Sequence, residues 1–596
     1  MKLSDYVAAF IAERKVKQIF LLPGGGNMHI VDSFGKHSDI ETIALLHEQA
    51  VAIAADGYAQ YTNNIGVALV TTGPGGTNAI TGFAGSYIES VPMMVISGQV
   101  KTPDIKTDPQ IRMLGFQEID IVKIVTPIAK YAVTVTDPLT IKYHLEKAVH
   151  IALSGRRGPV WIDIPLDVQA TEIDVASLKG FVPEQIASPN CTSEVENALA
   201  ILLQAKRPVI LAGNGIRLSG GESQFIKLIE TLKIPVLTTW KACDLLDEHH
   251  PQFFGRPGTV AQRGANFIQQ NSDCILSIGC RLDFGQIGYA QETFAREAKK
   301  IIVDIDAFEF LKFRFNIDQK IVANASDFLS EINAQLENKT LPDWTWWLER
   351  SLDWKNRYPV IVPEYLEMKE YVSTYVLVDE ISKQLKSSDV VIPCSSGSGA
   401  DITSQTLKVK KGQRVMNSPG LGSMGFGVPH SIGACIASNH KRTICINGDG
   451  GFQLNIQELE SIHRMQLPIK FFYLNNQGYL SIKNSQINYF NGRFVATDAS
   501  SGLTMPNIQK VAAAYGISSN IIHTHSDLSK GIEEALSSEG PFICEVMIDP
   551  NEQVYPKVKS MIGANGKMIS KPLEDLAPFL SREEFLANMI VKPLEE

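Results

Sequence analysis

The stretch Asn447-Gly-Asp-Gly-Gly-Phe452, followed by Leu474-Asn-Asn-Gln-Gly478, constrains the fold more than any other part of this chain. Before it, Arg442-Thr-Ile-Cys-Ile446 reads as a short buried strand of apolar and β-branched residues. After it, residues 455–463 read as a helix with Ile456, Leu459 and Ile462 on one face, and Ile469-Lys-Phe-Phe-Tyr-Leu474 reads as a second strand. Two polar loops then end adjacent parallel strands, which is where open α/β sheets bind ligands. Asp449 offers a hard carboxylate oxygen and Asn476 an amide oxygen. Mg²⁺ takes about six such oxygens at roughly 2.0–2.1 Å, a few from protein and the rest from phosphates and water. Gly448, Gly450 and Gly451 let backbone N–H groups approach an anion. A plain turn and a helix cap would use the same residue types. The strands on both sides favour a metal-held diphosphate.

At 596 residues the chain is too long for one core, and its length suggests three or four domains. A net charge of −9 without a basic run argues against a nucleic-acid surface. No apolar stretch is long enough to span a bilayer. The first fourteen residues read as an amphipathic helix capped at Ser4, and charges interrupt it too early for a signal peptide. Eight cysteines show neither Cys-x-x-Cys spacing nor a disulfide framework, so a reduced, cytoplasmic protein without a zinc site is expected.

Residues 1–170 alternate strand and helix patterns, with strands expected at 18–22, 43–46, 67–70, 93–96 and 160–163, and hence a parallel sheet covered on both faces. Glycine-rich turns sit at strand ends: Pro23-Gly-Gly-Gly-Asn27, Thr72-Gly-Pro-Gly-Gly-Thr-Asn78 and Ser97-Gly-Gln99. Glu48 lies in the first turn of a small-residue helix, where the helix dipole favours a carboxylate. Ala50, Ala52, Ala54, Ala55 and Gly57 make that helix thin enough to pack closely, and a carboxyl in such a dry seam could share a proton with a ring nitrogen.

Residues 171–195 read as a linker. Residues 196–340 read as a second α/β unit with strands at 208–211, 235–238, 274–278 and 300–303. Gly213-Asn-Gly215, Gly279-Cys-Arg-Leu-Asp283 and Asp304-Ile-Asp306 follow these strands directly, where a nucleotide could lie. Residues 341–370 carry Trp344, Trp346, Trp347 and Trp354, read as a docked helix rather than an aromatic binding site. Residues 371–555 form the third domain, and 556–596 a proline-punctuated tail that either covers a site or packs outside. Gly420-Leu-Gly-Ser-Met-Gly425 matches the dinucleotide fingerprint literally. The strand before it is short and ends in Pro419, which sets a nicotinamide enzyme aside.

Pro23-Gly-Gly, His47-Glu-Gln, Thr72-Gly-Pro-Gly, Gly98-Gln-Val, Gly115-Phe-Gln-Glu118, Gly158-Pro-Val, Asp163-Ile-Pro and Gly422-Ser-Met-Gly-Phe-Gly427 precede the Gly-Asp-Gly and Asn-Asn pair in this order. Together they resemble the acetolactate synthase branch of the thiamin diphosphate (ThDP) enzymes over nearly the whole chain. The resemblance implies the pyruvate oxidase/decarboxylase-like architecture, with three doubly wound parallel-sheet α/β domains: pyrimidine-binding, central, and diphosphate-binding. It implies a homodimer or homotetramer with active sites between chains, Glu48 of one subunit meeting the cofactor held by Asp449 and Asn476 of another. ThDP contacts are implied at Pro23, Glu48, Gly73, Asn78, Gly397, Ser398, Gly422, Met424, Gly448, Asp449, Gly450, Gly451, Asn476, Gly478, Tyr479 and Leu480. Mg²⁺ is implied at Asp449, Asn476 and Gly478. By the same resemblance Glu48 favours the imino tautomer of the aminopyrimidine and Met424 holds the cofactor bent. Phe116, Gln117 and Gly25 line the substrate side.

The implied reaction removes CO₂ from a 2-keto acid, pyruvate, and passes the two-carbon unit to a second carbonyl, the cofactor carrying the hard chemistry. Arg156, Gly213, Gly215, Thr238, Gly258, Thr259, Arg281, Asp304 and Asp306 stand where a structural FAD would be contacted, but Gly285 replaces the family's second arginine. Three other departures bear on the site. Ala400-Asp401 follows Gly397-Ser-Gly where the family has Gln-His, Leu166 matches a substrate-channel lysine, and Ser485 or a neighbour matches an acceptor-selecting tryptophan. The last two leave the acceptor open between pyruvate or 2-oxobutyrate and a larger ketone such as a nucleotide-linked keto-sugar. A pyruvate oxidase and a non-catalytic regulatory subunit are the competing classes, and the presence of both Glu48 and Asp449 counts against the second.

Overall fold

The computed structural model describes residues 1–184, 190–562 and 568–594, so residues 185–189 of the expected linker and 563–567 of the tail lie outside the described residues. Apolar runs bounded by turn residues form strands buried on both faces, the pattern of parallel sheets covered by helices. β1 (Gln18–Leu21), β2 (Glu41–Ala44), β3 (Gly66–Val70), β4 (Met93–Gln99), β5 (Tyr131–Thr134) and β6 (Val160–Pro165) make a six-stranded parallel sheet in the order β2-β1-β3-β4-β6-β5. Edge strand β5 was not among the expected strands, although Tyr131-Ala-Val-Thr134 is an apolar and β-branched run. β7 (Pro208–Ala212), β8 (Val236–Thr238), β9 (Cys274–Ile278), β10 (Lys299–Asp304) and β11 (Gln319–Val322) form a parallel sheet ordered β11-β10-β9-β7-β8. β12 (Val390–Ile392), β13 (Arg414–Val415), β14 (Thr443–Gly448), β15 (Ile469–Asn475), β16 (Ser518–Ile522) and β17 (Phe542–Met547) form the third, ordered β13-β12-β14-β15-β17-β16. Three parallel-sheet α/β domains are thus present, as expected. The register pairs Asn447 with Tyr473 and Gly448 with Leu474, so the two polar loops leave neighbouring strands at one level. β13 is only two residues long, which removes the strand that a dinucleotide fingerprint at Gly420 would need.

The chain divides into two compact units. One comprises Met1–Gln185, Ser388–Ala400 and Arg414–Pro550 and holds both six-stranded sheets. The other comprises Ile186–Ser387, Asp401–Gln413 and Asn551–Glu596 and holds the five-stranded sheet. Within the first, the helix Glu48–Thr62 packs against the helices Pro74–Ile88 and Gly427–Ala437. A side chain at Gly433 would overlap the Ala54 carbonyl, and one at Gly82 would lie 2.7 Å from Ala52 Cβ, so glycines set how closely these helices approach. Asp56 is fully buried here, accepting from Ser86 Oγ and Gln60 Nε2 at 2.6 Å, with His430 Nε2 3.3 Å away.

Two helix readings need correction. The first helix is Leu3–Glu13, with Lys2 at its cap position, so Ser4 lies inside it and accepts from Ser33 Oγ at 2.9 Å instead of capping. The helix expected over 455–463 is Glu458–Arg464, and a separate short helix covers Asp449–Gln453. Asn455 lies in the turn between the two.

In the second unit, the tryptophan-rich segment is the helix Thr345–Arg357. Trp344, Trp347 and Trp354 are buried, Trp346 is exposed, and Trp347 Nε1 donates to the Pro208 carbonyl at 2.9 Å. The tail packs on the helix Arg263–Asn271: Asn266 Nδ2 donates to the Leu573 carbonyl at 2.6 Å, and Gln270 Nε2 to Glu574 at 2.7 Å. No helix among the described residues is long and apolar enough to cross a membrane.

Candidate active site

Three loops converge at the carboxyl ends of β14 and β15. Asp449, 1% exposed, opens its helix directly after β14; its Oδ1 accepts from Gly450 N at 2.7 Å and its Oδ2 from Gly478 N at 3.1 Å. Burial pushes its carboxyl up to about 7, against the opposing pull of these amides. One terminal atom of the Asn476 amide lies 2.7 Å from the Gly478 carbonyl oxygen and 3.3 Å from Asp449 Oδ1. With the amide nitrogen at that atom, Asn476 donates to both oxygens. With the oxygen there, the three oxygens form a set that a cation could bridge. Neighbouring oxygens on an octahedral Mg²⁺ are about 2.9 Å apart, so one carboxylate, one amide and one carbonyl fit the second option. Among the described residues no group of three or more His, Cys, Asp or Glu could hold a metal, and this set uses only one carboxylate.

Space and unpartnered polar atoms mark the surroundings. No atom lies within 4 Å of where a Cβ would stand on Gly448 or Gly397, and the nearest to Gly422, at φ +63°, is 3.6 Å away. Ser398 Oγ and Asn447 Nδ2 are buried without a hydrogen-bond partner among the described residues. Such groups cost free energy unless a ligand completes them. Gly450 lies under the Tyr479 ring, and Met424 Cε is 3.5 Å from its Cβ position, which brings the 422–425 loop onto the Asp449 loop. Gly451 faces Asn447 Oδ1 at 3.1 Å. Gly478, at φ +151°, admits no side chain against the Thr497 carbonyl; Tyr479 N bonds that carbonyl at 2.9 Å, and buried Leu480 opens the next helix.

A second cluster forms at the ends of β1, β3 and β4. Glu48 is the first residue of its helix, 8% exposed, with Oε2 accepting from Asn78 Nδ2 at 3.0 Å and Oε1 3.7 Å from the Cβ position of Gly75. His47 Nδ1 caps the helix through Gln49 N. Pro23 and Gly25 are exposed after β1, and nothing stands within 4 Å of a Cβ on Gly25. Gly73, at φ +63°, lies against the Gln117 carbonyl, which draws Gln117 and the exposed Phe116 to the same sheet end. Thr72 Oγ1 beside it is buried and unpartnered.

The reading of the sequence missed what ties these clusters together. Asn455 Nδ2 donates to Gln49 Oε1 at 2.9 Å and to the Gly425 carbonyl at 2.7 Å, joining the neighbour of Glu48 to the neighbour of Met424. Glu458, fully buried, accepts from Leu46 N at 3.0 Å and from Ser461 Oγ at 2.9 Å. The available signal was polar Asn455 and Glu458 following the motif at once, on what should have been the start of an apolar-faced helix.

The flavin positions have a different character. Side chains at Gly213 and Gly258 would run into the carbonyls of Gly279 and Gly285, and one at Gly215 would lie 2.7 Å from Gly279 Cα. Thr259 N donates to the Gly285 carbonyl at 2.7 Å, and Arg281 Nε to Asp283 at 3.2 Å. Asp304 and Asp306 accept from the backbone N–H two residues on, at 2.9 and 3.0 Å. Only Thr238 Oγ1, of these nine positions, is buried without a partner. Arg156 belongs to the other unit, where its Nε donates to Ser90 Oγ at 3.0 Å.

Residues 1–124 match the thiamine pyrophosphate enzyme N-terminal TPP binding domain, 195–332 the central domain and 396–546 the C-terminal TPP binding domain. An acetolactate synthase large subunit of Cyanidium caldarium is 34% identical, covering 92% of this chain and 93% of its own. That of Porphyra purpurea is 32% identical, over 92% of each chain, and the isozyme 2 large subunit of Escherichia coli K12 is 30% identical, over 95% and 99%. The chain belongs to the acetolactate synthase-like family of thiamin diphosphate-dependent enzymes.

Proposed function

We propose that this chain is a Mg²⁺-assisted ThDP carboligase that decarboxylates pyruvate and transfers the two-carbon unit to a second carbonyl. The observation that carries the reading is the convergence of the Asp449 carboxylate, the Asn476 amide and the Gly478 carbonyl at one sheet end, beside buried unpartnered donors. The metal would be held there by those three oxygens, with the diphosphate facing Ser398 Oγ, Asn447 Nδ2 and the open backbone at Gly448 and Gly397. ThDP supplies the electron sink for decarboxylation when bound. Glu48 exchanges a proton with the aminopyrimidine ring from a carboxyl fixed by Asn78, a side chain confined to one orientation. Met424, whose Cε stands 3.5 Å from the Cβ position of Gly450 beside the Tyr479 ring, would prop the cofactor. Phe116 and Gln117 present an apolar face and an amide to the 2-keto acid.

The active unit in this reading is a homodimer or homotetramer in which Glu48 of one subunit serves the cofactor site of another; light scattering of the purified protein tests that part. The test of the reaction is proton NMR of the protein with ThDP, Mg²⁺ and pyruvate. Acetolactate accumulating at steady turnover supports the proposal with pyruvate as its own acceptor. Pyruvate consumed only after a larger ketone is added supports the second reading, transfer to a bulkier acceptor such as a nucleotide-linked keto-sugar. Two positions favour weighing that reading: Leu166 opens the helix Leu166–Ala170 without a charge to offer, and Ser485 is exposed with its Oγ turned back to the Ser481 carbonyl. Pyruvate untouched in both experiments overturns both. FAD is a separate proposal resting on the family likeness and the unpartnered Thr238 Oγ1. Flavin absorbance in the purified protein supports it, and protein that stays colourless in excess FAD removes it.

A further inference from the structure

The loop between β4 and β5 that carries Phe116 and Gln117 is exposed along most of its length: Ile111, Met113 and Leu114 are more than 40% exposed and Phe116 is 82% exposed. One side chain in it behaves differently. Glu118 is 7% exposed, and its two carboxylate oxygens accept from backbone amides on the two limbs of the loop, Oε1 from Lys106 N at 3.0 Å and Oε2 from Leu114 N at 2.8 Å. Its own N–H donates to the Gly115 carbonyl at 3.1 Å, and Gly115 N to the Asp104 carbonyl at 3.0 Å. The following residue is held as well: Gln99 Nε2 donates to the Ile119 carbonyl at 2.9 Å while contacting buried Asp163 at 3.2 Å. Between these ties, Gln117 is in the left-handed region at φ +64°, its carbonyl against Gly73. A non-glycine residue holds that conformation only where its surroundings enforce it.

Burying a carboxylate in a solvent-facing loop is costly unless its oxygens are satisfied, and hydrogen bonds to a charged acceptor are the stronger kind. An apolar residue at 118 would bury itself with less demand on its neighbours. We propose that Glu118 is a positioning residue: its carboxylate ties the 106 and 114 limbs together and thereby fixes where Phe116 and Gln117 stand beside Gly73. The inference rests on the reading above, in which those two residues meet the 2-keto acid. It deepens that reading by naming the group that holds them.

Glu118→Gln separates this role from bulk and from folding. The amide keeps one acceptor oxygen but turns N–H groups toward a backbone N–H, so one limb is released. A misplacement of about 1 Å at a substrate contact costs up to on the order of a hundredfold in rate. We therefore expect kcat/KM for pyruvate to fall about 10- to 100-fold, with ThDP affinity within twofold of wild type. In a Gln117→Ala background, the same Glu118→Gln change should cost less than about threefold more, because the residue it positions is already gone. Losses that multiply in the double variant, or ThDP affinity falling in step with activity, would overturn the role. Amide hydrogen exchange of the protein without substrate gives the second readout: Lys106 and Leu114 should exchange at least tenfold faster in the variant, and unchanged exchange contradicts the clamp. Should the wild-type protein leave pyruvate untouched, the catalytic reading fails on its own, and the exchange measurement still decides whether Glu118 holds the loop.

Discussion

The loop after β14 and the loop after β7 look alike as text, each a short glycine-rich run leaving a buried parallel strand. Their glycines answer different needs. At Gly448 a Cβ would meet nothing within 4 Å, and the backbone, at φ −66° and ψ 151°, is one any residue adopts. At Gly213 a Cβ would overlap the Gly279 carbonyl. The first glycine keeps room that the protein itself does not fill; the second lets two loops of one sheet touch. The acids do not divide in this way: Asp304, Asp306 and Asp449 all accept from nearby backbone amides, and Asp449 Oδ1 in addition lies 3.3 Å from the Asn476 amide. Glycine spacing therefore marks a binding site only when the space beside the glycine stays open.

Mutations can break this comparison. Asp449→Ala removes a charged oxygen from the convergent set and should weaken ThDP binding in Mg²⁺ by on the order of 10²–10³-fold by calorimetry. Wild-type binding would refute the open side of the comparison. Asp163 supplies a contrasting buried carboxyl, satisfied inside the protein by Ser97 Oγ at 2.6 Å, Thr134 Oγ1 at 3.0 Å and Gln99 Nε2 at 3.2 Å. Burial raises it to about 7 from the ordinary 3.8, so its contribution to stability is fully present below about 3.8 and lost as pH rises through about 7. Over that window unfolding free energy should fall by a few kcal/mol, with or without cofactor, and Asp163→Asn should flatten the profile. A profile identical in the variant would show that the group does not titrate there.

Smaller effects sharpen the contrast at the glycines. Gly213→Ala should cost about 1–3 kcal/mol in denaturant unfolding with kcat unchanged, because it overpacks a backbone contact. Gly448→Ala should leave stability level, or raise it by about 0.4–1 kcal/mol through the unfolded chain, while weakening ThDP about tenfold. The reverse pattern, a destabilised Gly448→Ala with normal affinity, would mean that the two loops do the same job.

Much of the fold was legible because strand ends carry their chemistry in order. The apolar runs at 67–70, 274–278 and 469–474 lie in β3, β9 and β15, and Gly-Asp-Gly with Asn-Asn falls on neighbouring strand ends. Among edge strands, β2 and β8 overlap the expected runs at 43–46 and 235–238, whereas β11 and β16, which open on polar residues, were not legible. Ser4 shows the limit of cap rules: a serine near a helix start caps only if the backbone leaves the helix there, and here its hydroxyl meets Ser33 on a neighbouring helix. At the candidate site, what was legible is the place of Glu48 and Asp449 at helix starts and of Asn476 at the end of β15; their roles are proposals. The wiring through Asn455 and Glu458 was not legible, because those bonds join segments some four hundred positions apart, and local spacing holds no trace of them.

The central claim is that Glu48 drives proton exchange on ThDP held by Asp449 and Asn476. Its most direct test is the rate at which the thiazolium C2 proton of bound ThDP exchanges with deuterated water, followed by NMR in the wild-type protein and in Glu48→Gln. A positioned acid–base group contributes about 10²–10⁴-fold, so the account predicts exchange slowed by that range while ThDP remains bound. Exchange at the wild-type rate in Glu48→Gln would contradict it.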